Sequence, residues 1–67
     1  MSVAKVTELS ATSKKSFEDA IQKGIARANK SLRNVTGAWI NEQKLDISKG
    51  KITDYRVSMK VTFILED

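Results

Sequence analysis

The 67-residue sequence contains no cysteine, no histidine and no proline. Without cysteine no disulfide forms, and without Cys and His together the ligand sets of structural zinc sites are missing. The same absence excludes the Ser–His and Cys–His pairs of nucleophilic catalysis. A chain this short makes one domain, residues 1–67. Burying the core of such a domain releases little more free energy than ordering the chain costs. Association with further copies of the chain is therefore the favoured route to a stable fold.

Positive charge is only modestly in excess, with 12 Lys and Arg against 8 Asp and Glu. The basic residues are spread from Lys5 to Lys60 with acids between them, and no five like charges run together. This pattern favours a mixed, solvated surface over a nucleic-acid-binding module. A net charge of +4 still favours attraction of anionic ligands, phosphates included.

Long hydrophobic runs are missing as well. No segment approaches the roughly 18 apolar residues of a membrane span. The opening "MSVAKVTELS" has no apolar core of the kind found in signal peptides. We therefore expect a soluble, cytoplasmic protein.

Catalytic signatures are equally scarce. The acid pairs Glu18/Asp19 and Glu66/Asp67 lie side by side in sequence and do not resemble a poised acid–base couple. Three glycines, at positions 24, 37 and 50, form no phosphate-binding loop. The sequence therefore predicts a protein that is not an enzyme.

One segment has the apolar spacing of an amphipathic helix. Ser13 or Ser16 is its predicted N-cap, and Asn34 its predicted stop. Gly24 lies on the apolar face, where we expect it to permit close approach of a strand. The apolar positions are Phe17, Ala20, Ile21, Gly24, Ile25, Ala28 and Leu32.

Three other segments have the rhythm of strands, residues 3–10, 35–47 and 52–66, with a tight connection at "SKGK", residues 48–51. The last of them alternates most clearly, which is typical of an antiparallel strand with one buried face. The sequence thus predicts an α+β fold of β-α-β-β order, with one helix packed on a three-stranded antiparallel sheet. The alternating row that we expect beneath the helix is Tyr55, Val57, Met59, Val61, Phe63 and Leu65.

Trp39 is the only tryptophan, and it lies in the polar stretch "NVTGAWINEQ". Its parity is opposite to that of Ala38 and Ile40, which we expect beneath the helix. Because one helix covers one sheet face, the indole is predicted to be exposed, which favours a symmetric homo-oligomer. The residues predicted to share its side are Gly37, Asn41, Gln43 and, unless a bulge intervenes, Leu45 and Ile47.

Two interpretations of Trp39 stay open from the residues alone. With Gly37 as an empty space beside it and Arg56 as a hydrogen-bond donor, the indole would suit a planar anionic cofactor. Alternatively, Trp39 fills an interface against its own symmetry mate. Carboxylates such as Glu42 and Asp46 could join a calcium site across a symmetry axis, although calcium needs six to eight oxygens and one strand cannot supply them. The metal ligands are left unknown.

The chain resembles the dodecin family over essentially its whole length. The similar segments are "VAKVTELSATSKKSFEDAIQKGIARA", "NVTGAWINEQ" and "YRVSMKVTFILED". The resemblance implies a hollow homododecamer of cubic symmetry, built from trimers, with helices outside and sheets lining the interior. It also implies a non-enzymatic role in storing FMN, riboflavin or FAD, whose rings stack between tryptophans at a two-fold axis.

The transfer of site residues from that family is imperfect. A gapless alignment places the family's stacking tryptophan at Gly37 and its flavin-binding glutamine at Arg56. Trp39 lies two residues farther along the same strand face, about 6.6 Å at 3.3 Å per residue. We therefore expect a flavin site with Trp39 as the stacking platform, Gly37 as the gap and Arg56 as the anchor, with Glu42 and Gln43 at the rim.

A branch of the same family lacks the stacking tryptophan and is associated with calcium. The "EQ" at residues 42–43 and the "GKIT" at residues 50–53 are similar to that branch. The alternative expectation is therefore a shell that has lost flavin binding and holds ions at its symmetry interfaces.

Overall fold

The computed structural model describes residues 3–65. Its elements are β1 (Val3–Ser13), α1 (Phe17–Ser31), β2 (Val35–Ser48) and β3 (Lys51–Leu65). The three strands form one antiparallel sheet in the order β1-β3-β2, with β3 in the centre. The predicted β-α-β-β order and the single helix on a three-stranded antiparallel sheet are confirmed.

The predicted element bounds differ slightly from the observed ones. β1 continues to Ser13, three residues beyond the predicted end of the first strand. The last residue of the predicted third strand, Glu66, lies outside the described residues, as do Met1, Ser2 and Asp67. Within residues 3–65 the only helix is α1, which at 15 residues is neither long nor apolar enough to cross a membrane.

The core lies between α1 and the central strand. Val57, Met59 and Val61 of β3 have no exposed surface, and the helix buries Ala20 and Ala28 against them. Alternate residues of β3 therefore point into the core, as its sequence pattern predicts. Around this core pack partly buried side chains from β1, from α1 and its C-cap, and from β2: Leu9, Ala11, Phe17, Ile21, Ile25, Leu32 and Val35.

Gly24 lies where the helix approaches the sheet most closely. A Cβ built on it would stand 2.8 Å from Cε of Met59 and 3.3 Å from side-chain carbons of Leu9 and Ala11. The absence of a side chain at Gly24 therefore lets α1 settle onto β1 and β3. This confirms the close approach predicted for Gly24.

The helix begins at a capping serine. Ser16 is the N-cap, and its hydroxyl accepts a hydrogen bond from the backbone N–H of Asp19 at 3.0 Å. Ser13, the other predicted candidate, has a different role. Its buried hydroxyl donates to the Asp19 carboxylate at 2.6 Å and accepts from the backbone N–H of Lys15 at 2.9 Å. The two serines thus tie the end of β1 to the first turn of α1.

Two tight connections reverse the chain. The helix ends at Ser31 with Leu32 as its C-cap, so the predicted stop at Asn34 lies two residues too late; Asn34 takes a left-handed backbone conformation with φ 59° in the connection to β2. In the β2–β3 hairpin, Lys49 and Gly50 have φ 53° and 77°, and Ser48 pairs with Lys51. Two central residues with positive φ are typical of a two-residue type I′ turn, which fits the twist of the two strands.

A β-bulge interrupts β2 just after Trp39. Ile40 pairs with Met59 and Glu42 pairs with Ser58, so consecutive residues of β3 face residues two apart on β2. Asn41 is the extra residue of this irregularity. Beyond it, the alternation of side chains in β2 is shifted by one residue.

Because of this bulge, the predicted side of Gln43 is wrong, and Leu45, whose predicted side held only without a bulge, changes side as well. Gln43 pairs with Val57 and Leu45 pairs with Tyr55, and both partners point toward α1. Gln43 and Leu45 therefore lie on the helix side of the sheet, opposite to Trp39. The simple period-two count from Trp39 fails there because a bulge adds one residue to only one strand.

We predict that Gly24→Val destabilises the protein by about 1–3 kcal/mol, because the new side chain overpacks the contact with Met59, Leu9 and Ala11. The thermal unfolding midpoint, Tm, checks this. Ala26→Val is the matched control, since Ala26 is exposed on the same helix and tolerates the added volume. A Gly24→Val protein that melts no lower than the control would contradict the proposed close contact.

We also predict that Ser13→Ala lowers stability in a pH-dependent way. The hydrogen bond from Ser13, followed by that from Lys23, holds the pKa of Asp19 below its usual range. A lowered carboxyl pKa adds stability above the unfolded-state pKa, and this contribution is lost as the pH falls through the folded-state pKa. The deficit in Tm of Ser13→Ala should therefore be larger at neutral pH than in acid.

Ser10→Ala is the control for this measurement, because Ser10 is an exposed serine of the same strand. Its effect on Tm should not vary with pH. An equal deficit of Ser13→Ala at neutral pH and in acid would refute the role assigned to the Asp19 carboxylate.

Candidate ligand-binding face

The side of the sheet away from α1 carries a continuous polar surface, which we call the open face. Its central row is formed by the β3 residues that alternate with the buried ones, and cross-strand pairing adds residues from both neighbours. The open face consists of Asp54, Arg56, Ser58, Lys60 and Thr62 of β3, Val6, Glu8, Ser10 and Thr12 of β1, and Gly37, Trp39, Glu42, Lys44 and Asp46 of β2.

Trp39 is the one aromatic side chain of the open face. It pairs with Lys60 of β3, and 60% of its surface is exposed. It belongs to a short regular segment, residues 37–40, that lies between two register irregularities of β2. Bulges re-aim side chains and are common beside functional sites. The prediction that the indole points away from the helix is confirmed, and its ring is available to a ligand or to another subunit.

Gly37 leaves open space next to the indole. It pairs with Thr62, on the same side of the sheet as Trp39. No heavy atom lies within 4 Å of a Cβ built at this glycine. The two residues are about 6.6 Å apart along the strand. The open face thus has a flat aromatic group bordered by an unfilled position, as the sequence predicts.

Arg56 lies farther from the indole than the predicted site requires. It pairs with Lys44, four residues along β3 from Lys60, which corresponds to about 13 Å at 3.3 Å per residue. Its Nη2 donates to Oδ2 of Asp46 at 3.0 Å, and Nζ of Lys44 lies 4.0 Å from the other oxygen of the same carboxylate. Within one chain, Arg56 therefore belongs to an ion-pair group separate from Trp39.

The two predicted rim residues lie on different sides of the sheet. Glu42 pairs with Ser58 on the open face, between the level of Trp39 and that of Arg56. Gln43 pairs with Val57 on the helix side. Of the five predicted site residues, the structure thus brings Trp39 and Gly37 together, places Glu42 and Arg56 on the same face, and separates Gln43 from them.

Two residues next to Trp39 were missed by the sequence reasoning, and a third, Asn41, was predicted on its side but not as a hydrogen-bond partner of Glu8. Lys60 lies directly opposite the indole, and Glu8 of β1 pairs with Lys60 from the other side. Nδ2 of Asn41, the bulge residue, donates to Oε2 of Glu8 at 3.1 Å across the central strand. The alternation of β3 already placed Lys60 on the side of Arg56, but the strand register that sets it beside Trp39 is not visible in the pattern.

The described part of the chain holds no ready-made metal centre. Between residues 3 and 65 no three or more Asp or Glu side chains converge in a group able to hold a metal ion. Three carboxylates of the open face are paired with neighbours, Glu8 with Asn41, Asp46 with Arg56 and Asp54 with Lys14. Any calcium site would therefore need oxygens from more than one chain.

Two shallow grooves lie away from Trp39. The larger, of about 340 Å³, separates the C-terminal half of α1 from β1 and includes Arg27, Leu32 and Glu8. The smaller, of about 230 Å³, lies between the end of α1 and the end of β3. Trp39 belongs to neither, so a ligand stacked on it would rest on an open surface unless another subunit covered it.

The sequence is similar to known proteins over nearly its full length. A family model described as Dodecin matches residues 3–66. The chain is 37% identical over 65 residues to a dodecin of Thermus thermophilus, covering 97% of this chain and 94% of that protein. It is 39% identical over 64 residues to a calcium dodecin of Mycobacterium tuberculosis, covering 94% of this chain and 89% of that protein.

Solved structures have the same fold. An arginine-to-alanine mutant of Thermus thermophilus dodecin superposes with a TM-score of 0.94 at 36% identity, over 100% of both chains. A dodecin from Streptomyces davaonensis has a TM-score of 0.93 at 32% identity, over 98% of this chain and 97% of that one. The calcium-chelating calcium dodecin of Mycobacterium tuberculosis has a TM-score of 0.82 at 32% identity, over 96% and 91%.

Proposed function

From the premise that this chain belongs to the dodecin family, we propose that it is a flavin-binding storage protein that sequesters FMN, riboflavin or FAD inside a homododecameric shell. Dodecins are homo-oligomeric, non-enzymatic binding proteins. The observation that carries the proposal is Trp39, 60% exposed on the open face beside the unfilled space at Gly37.

The chemistry of stacking supports this role. An exposed indole offers a flat apolar face with an ordered geometry, and each aromatic pair contributes about 0.5–1.5 kcal/mol beyond the area it buries. At a two-fold axis between subunits, two copies of Trp39 would enclose a pair of planar rings. An indole in contact with an excited flavin would quench it and so suppress its photochemistry.

The stacking platform, Trp39, is displaced relative to the stacking tryptophan of the family pattern. Gly37 stands at the position that the family resemblance assigns to the stacking tryptophan, and Trp39 lies about 6.6 Å farther along the strand. Since nothing lies within 4 Å of a Cβ built at Gly37, a ring stacked on Trp39 has room there. We therefore propose a relocated flavin sandwich with Trp39 as its floor and Gly37 as its gap.

The polar contacts of the proposed site come from the rest of the open face and from symmetry mates. Glu42 pairs with Ser58, two residues along β3 from the partner of Trp39, and would meet the edge of a stacked ring. Arg56 is held by Asp46 and lies about 13 Å away within its own chain, so as an anchor it would serve a ligand on another copy's Trp39. Gln43, which lies on the helix side of its own chain, stays a predicted rim contact.

Exposed apolar side chains support the assembly. Ile47 and Ile52, a cross-strand pair near the hairpin tip, are 62% and 49% exposed, and Val3 at the other end of the sheet is 59% exposed. Large apolar side chains left in water at both ends of a small domain are typical of surfaces that other subunits cover. We propose that they are buried between copies of this chain in the dodecamer.

A calcium-binding shell is the second candidate, and it is favoured by one specific comparison, the 39% identity to a calcium dodecin. In that case Trp39 would fill the interface itself, and carboxylates such as Glu42 would meet across a symmetry axis to complete the six to eight oxygens that calcium requires.

The assembly has a direct test. We predict that the purified protein elutes in size-exclusion chromatography, with light scattering, as a particle of about 90 kDa, twelve times the 7.5 kDa chain. A species of 7.5 kDa would remove both the storage shell and the calcium-bound shell.

Flavin binding is tested by titrating FMN or riboflavin while flavin fluorescence is followed. We predict strong quenching at micromolar flavin and a loss of affinity of about tenfold or more in Trp39→Ala, because a stacked aromatic contributes about 1–3 kcal/mol. Trp39→Phe is the matched control, since it keeps a flat ring and should bind more tightly than the alanine variant. Absence of quenching, together with a Tm that falls in chelator, would favour the calcium-bound shell instead.

A further inference from the structure

We propose that Lys60 makes this site selective for flavins that carry a phosphate, so that FMN binds in preference to riboflavin. This inference rests on the proposed flavin-binding function and deepens it. Within one chain it assigns the anion contact to Lys60, which the sequence pattern did not single out, because Arg56 lies about 13 Å from the indole of that chain.

The first observation is the register of the open face. Lys60 is the direct cross-strand partner of Trp39, and such partners have Cβ atoms about 4.5–5.5 Å apart. Both residues are exposed. The other two basic residues of the open face, Arg56 and Lys44, lie about 13 Å farther along the strands. The phosphate of FMN ends a five-carbon ribityl chain, and Lys60, with its long flexible side chain, is the basic residue of the open face that lies nearest to the indole on which the ring would stack.

The second observation is that the charge of Lys60 is available. Arg56 is bonded to Asp46, and Lys44 lies 4.0 Å from the same carboxylate. Lys60 takes part in none of the ion pairs formed between residues 3 and 65. Its other cross-strand neighbour, Glu8, has Oε2 accepting a hydrogen bond from Asn41. A ligand phosphate would thus meet an ammonium group that forms no ion pair with a carboxylate of residues 3–65, although Glu8 lies directly across from it.

The chemistry of the two groups explains the selectivity. A lysine ammonium is a compact point charge with three donors on a flexible stem, and phosphate oxygens accept strong charge-assisted hydrogen bonds. The isoalloxazine ring would stack on Trp39 whether or not a phosphate is attached. The phosphate contact therefore adds to the affinity that stacking gives. Riboflavin has only a ribityl hydroxyl at that position and makes the contact more weakly.

The test is to measure dissociation constants for FMN and for riboflavin by fluorescence titration, at low and high ionic strength. The protein as it stands should prefer FMN by about three- to tenfold at low salt, and added salt should reduce this preference by screening. Lys60→Met, which keeps the length of the side chain, should abolish the preference and leave riboflavin binding within about twofold. Lys60→Arg should retain it.

Lys44→Met is the matched control, because it removes the same charge from the same face about 13 Å away and should leave the ratio of the two constants unchanged. Equal affinity of the unmodified protein for both flavins, or an FMN preference that survives Lys60→Met, would overturn the inference while the storage function stands. Failure of either flavin to bind the unmodified protein would overturn the function and the inference together. The salt dependence of the unmodified protein needs no variant, so the test does not depend on how Lys60→Met folds.

Discussion

Within residues 3–65 a single helix covers only one side of the sheet, and the other features follow from that constraint. The buried residues of β3, Val57, Met59 and Val61, all lie beneath α1. The other face has no layer of its own, so Trp39 stays exposed there, and apolar side chains such as Ile47 and Val3 are exposed at the two ends of the molecule. A domain of this size gains stability when further copies cover such surfaces. The proposed assembly and the proposed ligand binding therefore both use the same uncovered half of the fold.

The close contact at Gly24 and the bulge at Asn41 have complementary effects. Gly24 lets the helix settle onto β1 and β3, which fixes the side of the sheet that is buried. The bulge then changes the side to which β2 presents its residues, so Glu42 joins Trp39 on the open face while Gln43 turns toward the helix side. A single extra residue in one strand thus selects which polar side chains surround the indole.

The chain is similar to two kinds of relatives, which directs attention to the chemistry of the open face. The chain is 37% identical to a dodecin and 39% identical to a calcium dodecin, so overall similarity does not separate flavin from calcium. The proposed flavin role draws on Trp39, which is exposed beside free space, whereas a calcium site would need carboxylates from more than one chain, because those of residues 3–65 form no metal cluster. Lys60 beside the indole adds a cation, which suits a phosphate and opposes a bound cation at the same place.

The spacing of apolar residues by itself determined the helix, the strand order along the chain and the exposure of Trp39, because periods of 3.6 and 2 decide locally which side chains share a face. The resemblance in three segments determined the family. Only the tertiary structure decided that β3 is the central strand, that Gln43 leaves the open face, that Arg56 pairs with Asp46, and that Lys60 lies beside the indole. Those facts depend on strand register and on a bulge, which arise from pairing between segments distant in sequence and therefore leave no mark in the period of any one strand.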